Sequence, residues 1–335
     1  FPHCMPPSGV LPRLLVPGGA MASRPRALCC IWGELRGVRA SAASIRQHVL
    51  EPLGADVLVL VQRQLSDDEE RLGFLRESFG QRLIHAELYD KPWPEDFFGA
   101  DNFREMSRVR GNWLNPGNVQ VLMNHVLLGD LLEREGLLKA YDAFVFSRSD
   151  LLHVVPFPSV AQLLQALRPA DIVTQAGHEF GGVNYNLAAM RSALAGMYLR
   201  APREFITGRA ISSQRETSTH ERTYNIERFF RQVCVENGWR NLRMSITCFI
   251  TAESTDDRST WRTIRTCPKT GVLFKYEAQM TQANRSLEIW KSHPSWAVLQ
   301  PPFRMQVEEA HGRATRLFGL VLDAEVPEGA TALRG

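Results

Sequence analysis

Apolar residues follow two rhythms along this 335-residue chain. Short continuous runs at 27–32 (ALCCIW), 56–61 (DVLVLV) and 143–146 (AFVF) end in glycine or polar residues, and they predict buried strands. Between them the spacing stretches to three or four. Ile45, Val49 and Leu53 predict a helix over 41–53, and Val121, Leu122, Val126, Leu127, Leu131 and Leu132 a long amphipathic helix over 118–138. Ser66-Asp67-Asp68-Glu69 fits a capping box, so that acidic run reads as a helix start. Further expectations are a third strand at 81–86, a two-proline loop at 89–98 and a short helix from Ser159 to 167. A strand at 171–175 is followed by a helix at 187–199. A helix at 225–236 stops at Asn237-Gly238, and a late strand covers 243–251. No internal repeat interrupts this order.

Strand-type runs alternating with helices predict an α/β fold with a mostly parallel sheet covered on both faces. Such sheets bind ligands at the carboxyl ends of their strands. That rule gathers Gly33 to Arg36, Gln62, Ser147 to Asp150 and Gln175 to Asn186 at one edge. Residues 1–24 read as a disordered extension, 25–295 as the working domain and 296–335 as a C-terminal extension.

Charge alters this picture only slightly. The 39 basic and 36 acidic residues leave a net charge of +3, which argues against a protein that coats nucleic acid. None of the six cysteines forms a C-x-x-C or a zinc-spaced cluster, and Cys29 and Cys30 lie in an apolar run. This usage points to a reducing compartment. No stretch approaches the ~20 apolar residues of a membrane span, and no signal segment is seen, so a cytoplasmic, soluble protein is expected.

Three stretches carry a family resemblance. ALCCIWGELRG, with its following helix and ADVLVLVQ, is similar to the opening strand, arginine-bearing turn and second strand of GT-A-type glycosyltransferases. The likeness is to poorly characterised families that build capsule, lipopolysaccharide or algal and viral glycans. YDAFVFSRSDLL resembles the line that holds their counterpart of the D-x-D motif. GGVNYNLAAMRSALAGMY resembles their GG-[IV]-N-D segment, and NIERFFRQVCVENG a later helix carrying an acidic residue. Two departures stand out. Ser147-Arg148-Ser149-Asp150 keeps one carboxylate, and Asn184-Tyr185-Asn186 lacks the relatives' aspartate.

The resemblance implies a GT-A-like, Rossmann-like sheet and transfer of a sugar from a nucleoside-diphosphate donor to a glycan or other hydroxyl acceptor. It assigns Asp150 to a metal, Mn²⁺ or Mg²⁺, whose hard-oxygen preference suits carboxylates and phosphates. Trp32, Gly33, Glu34, Arg36, Gln62, Arg148, Asn184 and Tyr185 become the donor-binding set, with Arg36 and Arg148 as phosphate forks. Glu227 and Glu179 are the candidate general bases. Each has a plainer reading: Asp150 as a strand end, Asn186 as an N-cap, Glu227 as an acid favoured in a first helical turn. His178 and His293 are weaker ligand candidates. Three alternatives compete: a degenerate fold binding glycans or nucleotides, a nucleotidyltransferase (whose phosphate-loop lysine is missing from 32–37), and, more weakly, a methyltransferase.

Overall fold

The computed structural model describes residues 24–64, 66–101, 103–104, 116–168, 170–177, 179, 182–206, 226–255, 264–292, 305–308 and 315–318. The strands are β1 (Ala27–Gly33), β2 (Asp56–Gln62), β3 (Leu83–Tyr89), β4 (Ala143–Arg148), β5 (Leu151–His153), β6 (Ile172–Gln175) and β7 (Leu187–Arg191). They continue with β8 (Asn241–Met244), β9 (Cys248–Ile250), β10 (Arg265–Thr266), β11 (Leu273–Phe274), β12 (Met305–Glu308) and β13 (Thr315–Phe318). The principal helices are α1 (Val38–Ile45), α2 (Asp68–Phe79), α3 (Pro116–Arg134), α4 (Val160–Ala166), α5 (Ser192–Ile206), α6 (Ile226–Glu236) and α7 (Glu277–Ser292).

The main sheet has the order β13-β12-β8-β6-β7-β4-β1-β2-β3. From β3 to β8 all strands but β7 run the same way: β1 pairs parallel with β2 and β4, β2 with β3, and β6 with β8. β7 lies antiparallel between β4 and β6. The fold is therefore α/β, with a mostly parallel sheet flanked by helices. Small two-stranded ribbons, β5–β9 and β10–β11, lie apart from it. Among the described residues no helix is long and apolar enough to cross a membrane.

Period-two alternation sorts the strand side chains into two cores. Leu28, Cys30 and Trp32 of β1, with Phe144 and Phe146 of β4, meet α3, α5 and α6. Ala27, Cys29 and Ile31, with Val145, meet α1, α2 and α4 on the opposite face. The same alternation sends Arg148, two residues beyond Phe146, toward the first of these faces.

The helix from Val38 runs on through a π-type turn, Arg46–Leu50, to Leu53. Pro52 explains the irregularity. It has no N–H for the carbonyl four residues back, and that carbonyl, of His48, accepts instead from Phe157 N at 2.6 Å.

Four expectations change. Residues 187–191 form β7 rather than a helix; the helix starts at Ser192. Leu-Ala-Ala-Met suits a helix by propensity, but here it is buried and ladders to β4 and β6. The expected strand at 243–251 is two strands, β8 and β9, in different sheets. A helical turn, Pro94–Phe98, sits in the expected loop. The capping box at Ser66 does not form, because Asp67 is the N-cap and no side chain caps it. Glu69 faces Arg63 instead, and Asp67 accepts from Arg71. The box at Ser159 with Gln162 is present.

Candidate active site

β1 and β4 end side by side, with Trp32 paired to Arg148 in the ladder. Two hydrogen bonds then sew their extensions together: Ser149 N to Trp32 O at 3.0 Å, and Ser149 Oγ to Glu34 O. Asp150 follows, 2% exposed. Its Oδ1 accepts from Arg148 Nε at 2.8 Å, and its Oδ2 from Arg148 Nη2 at 2.5 Å and Arg36 Nη2 at 3.4 Å. Arg36 also reaches Glu34 at 2.9 Å.

Burial by itself would raise the Asp150 pKa. The charges of Arg148 and Arg36, the Arg148 hydrogen bonds and the charge of Lys275 outweigh it and hold the carboxylate well below its usual range. Asp150 is thus ionised and fully engaged.

Close packing explains Gly37. A Cβ there would stand 2.8 Å from Asp150 Cβ and 3.3 Å from Thr251 O. Thr251 N donates to Asp150 O at 2.9 Å. Arg71 holds the turn from outside, donating to Leu35 O at 3.1 Å and pairing with Glu253 at 2.6 Å. Thr251 also lines a cavity of about 510 Å³ with Arg39, Leu152, Glu253 and Val272.

The 182–186 segment crosses beside Arg148. Asn184 is completely buried, and its amide is spent inside the loop: Nδ2 donates to Gly177 O at 2.8 Å, and Oδ1 accepts from Asn186 N at 2.9 Å. Asn186 caps no helix. Its Oδ1 accepts from Arg148 Nη1 at 3.3 Å. The two asparagines therefore exchange the parts expected of them: Asn184 shapes the loop, and Asn186 faces the cluster. Tyr185 packs with ring centroids 6.1 Å from Trp32 and 6.0 Å from Phe230. Its hydroxyl pKa is raised by burial and then by Glu227, and eased by Arg148, so both charges act on the phenol.

Glu227 stands in the first turn of α6, 7% exposed. Val183 N donates to its carbonyl at 2.8 Å, and any Cβ on Gly182 would land on that carbonyl. Only glycine lets the two segments touch. Burial pushes the Glu227 pKa up to about 7, against a small opposing effect of its own backbone N–H.

The other candidates divide. Glu179 is ion-paired with Arg243 Nε at 3.2 Å. Gln62 and Trp32 are buried at the ends of their strands, with Gln62 Oε1 and Trp32 Nε1 unpartnered among the described residues. Trp32 packs against His125, ring centroids 5.0 Å apart and planes tilted by 60°, and belongs to the core. Gly33 turns the chain at φ 110°, and Glu34 accepts from Gln64 Nε2 at 3.0 Å. Gln175 braces β9, accepting from Thr247 N and Cys248 N. His178 and His293 lie outside the described residues. Lys275 was missed by the sequence reading. It is a buried lysine in a stretch without motif, and its only signal was a lone cation in an apolar run, Val272 to Phe274.

The residues do not fit a divalent cation at Asp150. Both carboxylate oxygens already accept from guanidinium groups, and the nearby charges acting on it are cationic. No three His, Cys, Asp or Glu side chains gather as a ligand set among the described residues.

No family model and no curated protein sequence matches the chain. Among solved structures, mouse xyloside xylosyltransferase 1 in its apo form is similar over 64% of this chain and 82% of that chain. The identity is 12% and the TM-score 0.41.

Proposed function

We propose that this protein is a glycosyltransferase that moves a sugar from a nucleoside-diphosphate sugar to a hydroxyl acceptor. One observation carries the reading. At the carboxyl end of the sheet, a cationic cluster built on Arg36 and Arg148 and a buried carboxyl group that ionises near neutrality, Glu227, both act on the Tyr185 hydroxyl.

The chemistry needs both. As the bond from the anomeric carbon to the phosphate oxygen breaks, its electron pair leaves with the diphosphate, and the guanidinium groups stabilise the added charge. The acceptor hydroxyl attacks the same carbon, and in an inverting transfer its proton passes to Glu227. Glu227 is preferred to Glu179 because it has no ion pair among the described residues, whereas Glu179 is held by Arg243.

The test is hydrolysis and transfer with UDP- and GDP-sugars on the wild type and on Glu227→Gln. Donor turnover by the wild type, reduced about 10²- to 10⁴-fold in the variant, is expected. Binding without turnover would instead favour a non-catalytic nucleotide-binding module. Neither binding nor turnover would end the reading. At about 100 times Kd a bound donor adds about 2.7 kcal/mol, a shift of a few degrees in Tm.

A further inference from the structure

We infer that this protein holds its donor's diphosphate without a divalent cation: Arg148 and Arg36 stand where a metal would, and Asp150 positions them. The inference rests on the transferase reading above.

The geometry of Arg148 is the starting point. A guanidinium has five N–H donors in a rigid plane. Arg148 spends three: Nε and Nη2 on Asp150, and Nη1 on Asn186. Two donors remain on a side chain only 16% exposed. Its plane is fixed on two sides, so those donors are aimed in advance rather than recruited. Planar forks of this kind match phosphate oxygens in bidentate fashion.

Charge points the same way. Arg36, Arg148 and Lys275 act on Asp150, and Glu34 pairs with Arg36. The charges that hold Asp150 ionised are thus those of three cations, a surround that favours an anionic ligand over a cationic one. A divalent ion brought to Asp150 would meet the opposite situation. It would have to displace Arg148 from contacts of 2.5 and 2.8 Å, and its neighbours would be cations. Gly37 and Thr251, packed on the Asp150 backbone, leave that side no room for extra ligands.

Asp150 is on this account a positioning residue. It takes the first donors of Arg148 and the tip of Arg36, from strand ends already stitched by Ser149.

The experiment is calorimetric titration of the full chain with UDP, GDP and inorganic pyrophosphate, in EDTA and in Mn²⁺. It is joined by a thermal-shift scan with Mn²⁺ alone. Expected are binding of a nucleoside diphosphate in EDTA, at an affinity that Mn²⁺ does not improve, and no response to Mn²⁺ alone. Asp150→Asn and Arg148→Lys should each weaken that metal-free binding by about tenfold or more, since the lysine keeps the charge but loses the fork. If the asparagine variant does not fold, the lysine variant and the wild-type comparison decide. Binding only in Mn²⁺, with a Mn²⁺ shift that Asp150→Asn abolishes, overturns the inference and leaves the transferase reading intact. Metal-free binding of pyrophosphate but of neither nucleotide sustains the anion site and removes the transferase reading. No binding of any probe overturns both.

Discussion

Glu227 is the residue whose environment most affects behaviour. A carboxyl group with a pKa near 7 in the fold and near 4.3 in the unfolded chain favours the folded state only while protonated. Its contribution is complete below the unfolded value and is lost as pH rises toward 7. Glu227→Gln is therefore expected to stabilise the protein at pH 8 by on the order of 2 kcal/mol relative to pH 5, read by urea denaturation. On the proposed mechanism the same group, ionised, is the base, so turnover is expected to climb through pH 7 in the wild type. Gly182 carries the complementary expectation. Gly182→Ala forces the loop off the Glu227 carbonyl and should cost roughly 2 kcal/mol, with loss of the Glu227-dependent pH profile. Breaking the Asp150 pair leaves a buried charge, and Asp150→Asn should cost about 3 kcal/mol in the same titration.

Strands β1, β2 and β4 were legible because their apolar runs are continuous, which is how a parallel strand covered on both faces reads. β7 was not. Its Leu-Ala-Ala-Met favours a helix in local propensity, and only the ladders to β4 and β6 override that preference. The capping box at Ser66 failed for a related reason: Arg63 and Arg71 claim the acidic side chains that the local motif reserves for the helix end. The aromatic core under β4 sets the scale of packing. Phe146 is completely buried, stacked 6.1 Å from Phe144 and 6.0 Å from Tyr198. Phe146→Ala is expected to destabilise by about 3–5 kcal/mol, and Phe146→Leu by much less, measured as the shift in urea midpoint.

The molecule as a whole carries an acid limit. His125 and His153 are buried and neutral, their pKa values lowered to about 4 and about 3. Burial is the main cause; a backbone hydrogen bond to Val121 opposes it for His125, and the charge of His48 adds to it for His153. Lowered histidine values mean that stability is full above the unfolded pKa, near 6.5, and falls as pH drops toward the folded values. Each histidine steepens that fall by roughly 1.4 kcal/mol per pH unit, and His125→Leu should flatten the profile between pH 6 and 4. Sequence alone determined the alternation of elements and hence the parallel strands. Because parallel strands end on one side, it also brought Arg36, Arg148 and Asp150 to one edge. Tertiary structure alone decided that Arg148 occupies the carboxylate, that Asn186 rather than Asn184 faces the cluster, and that the charge of Lys275 acts on Asp150. The physical reason is sequence separation: Arg36 meets Asp150 across 114 residues, and no local periodicity encodes which distant side chain claims a given hydrogen-bond donor.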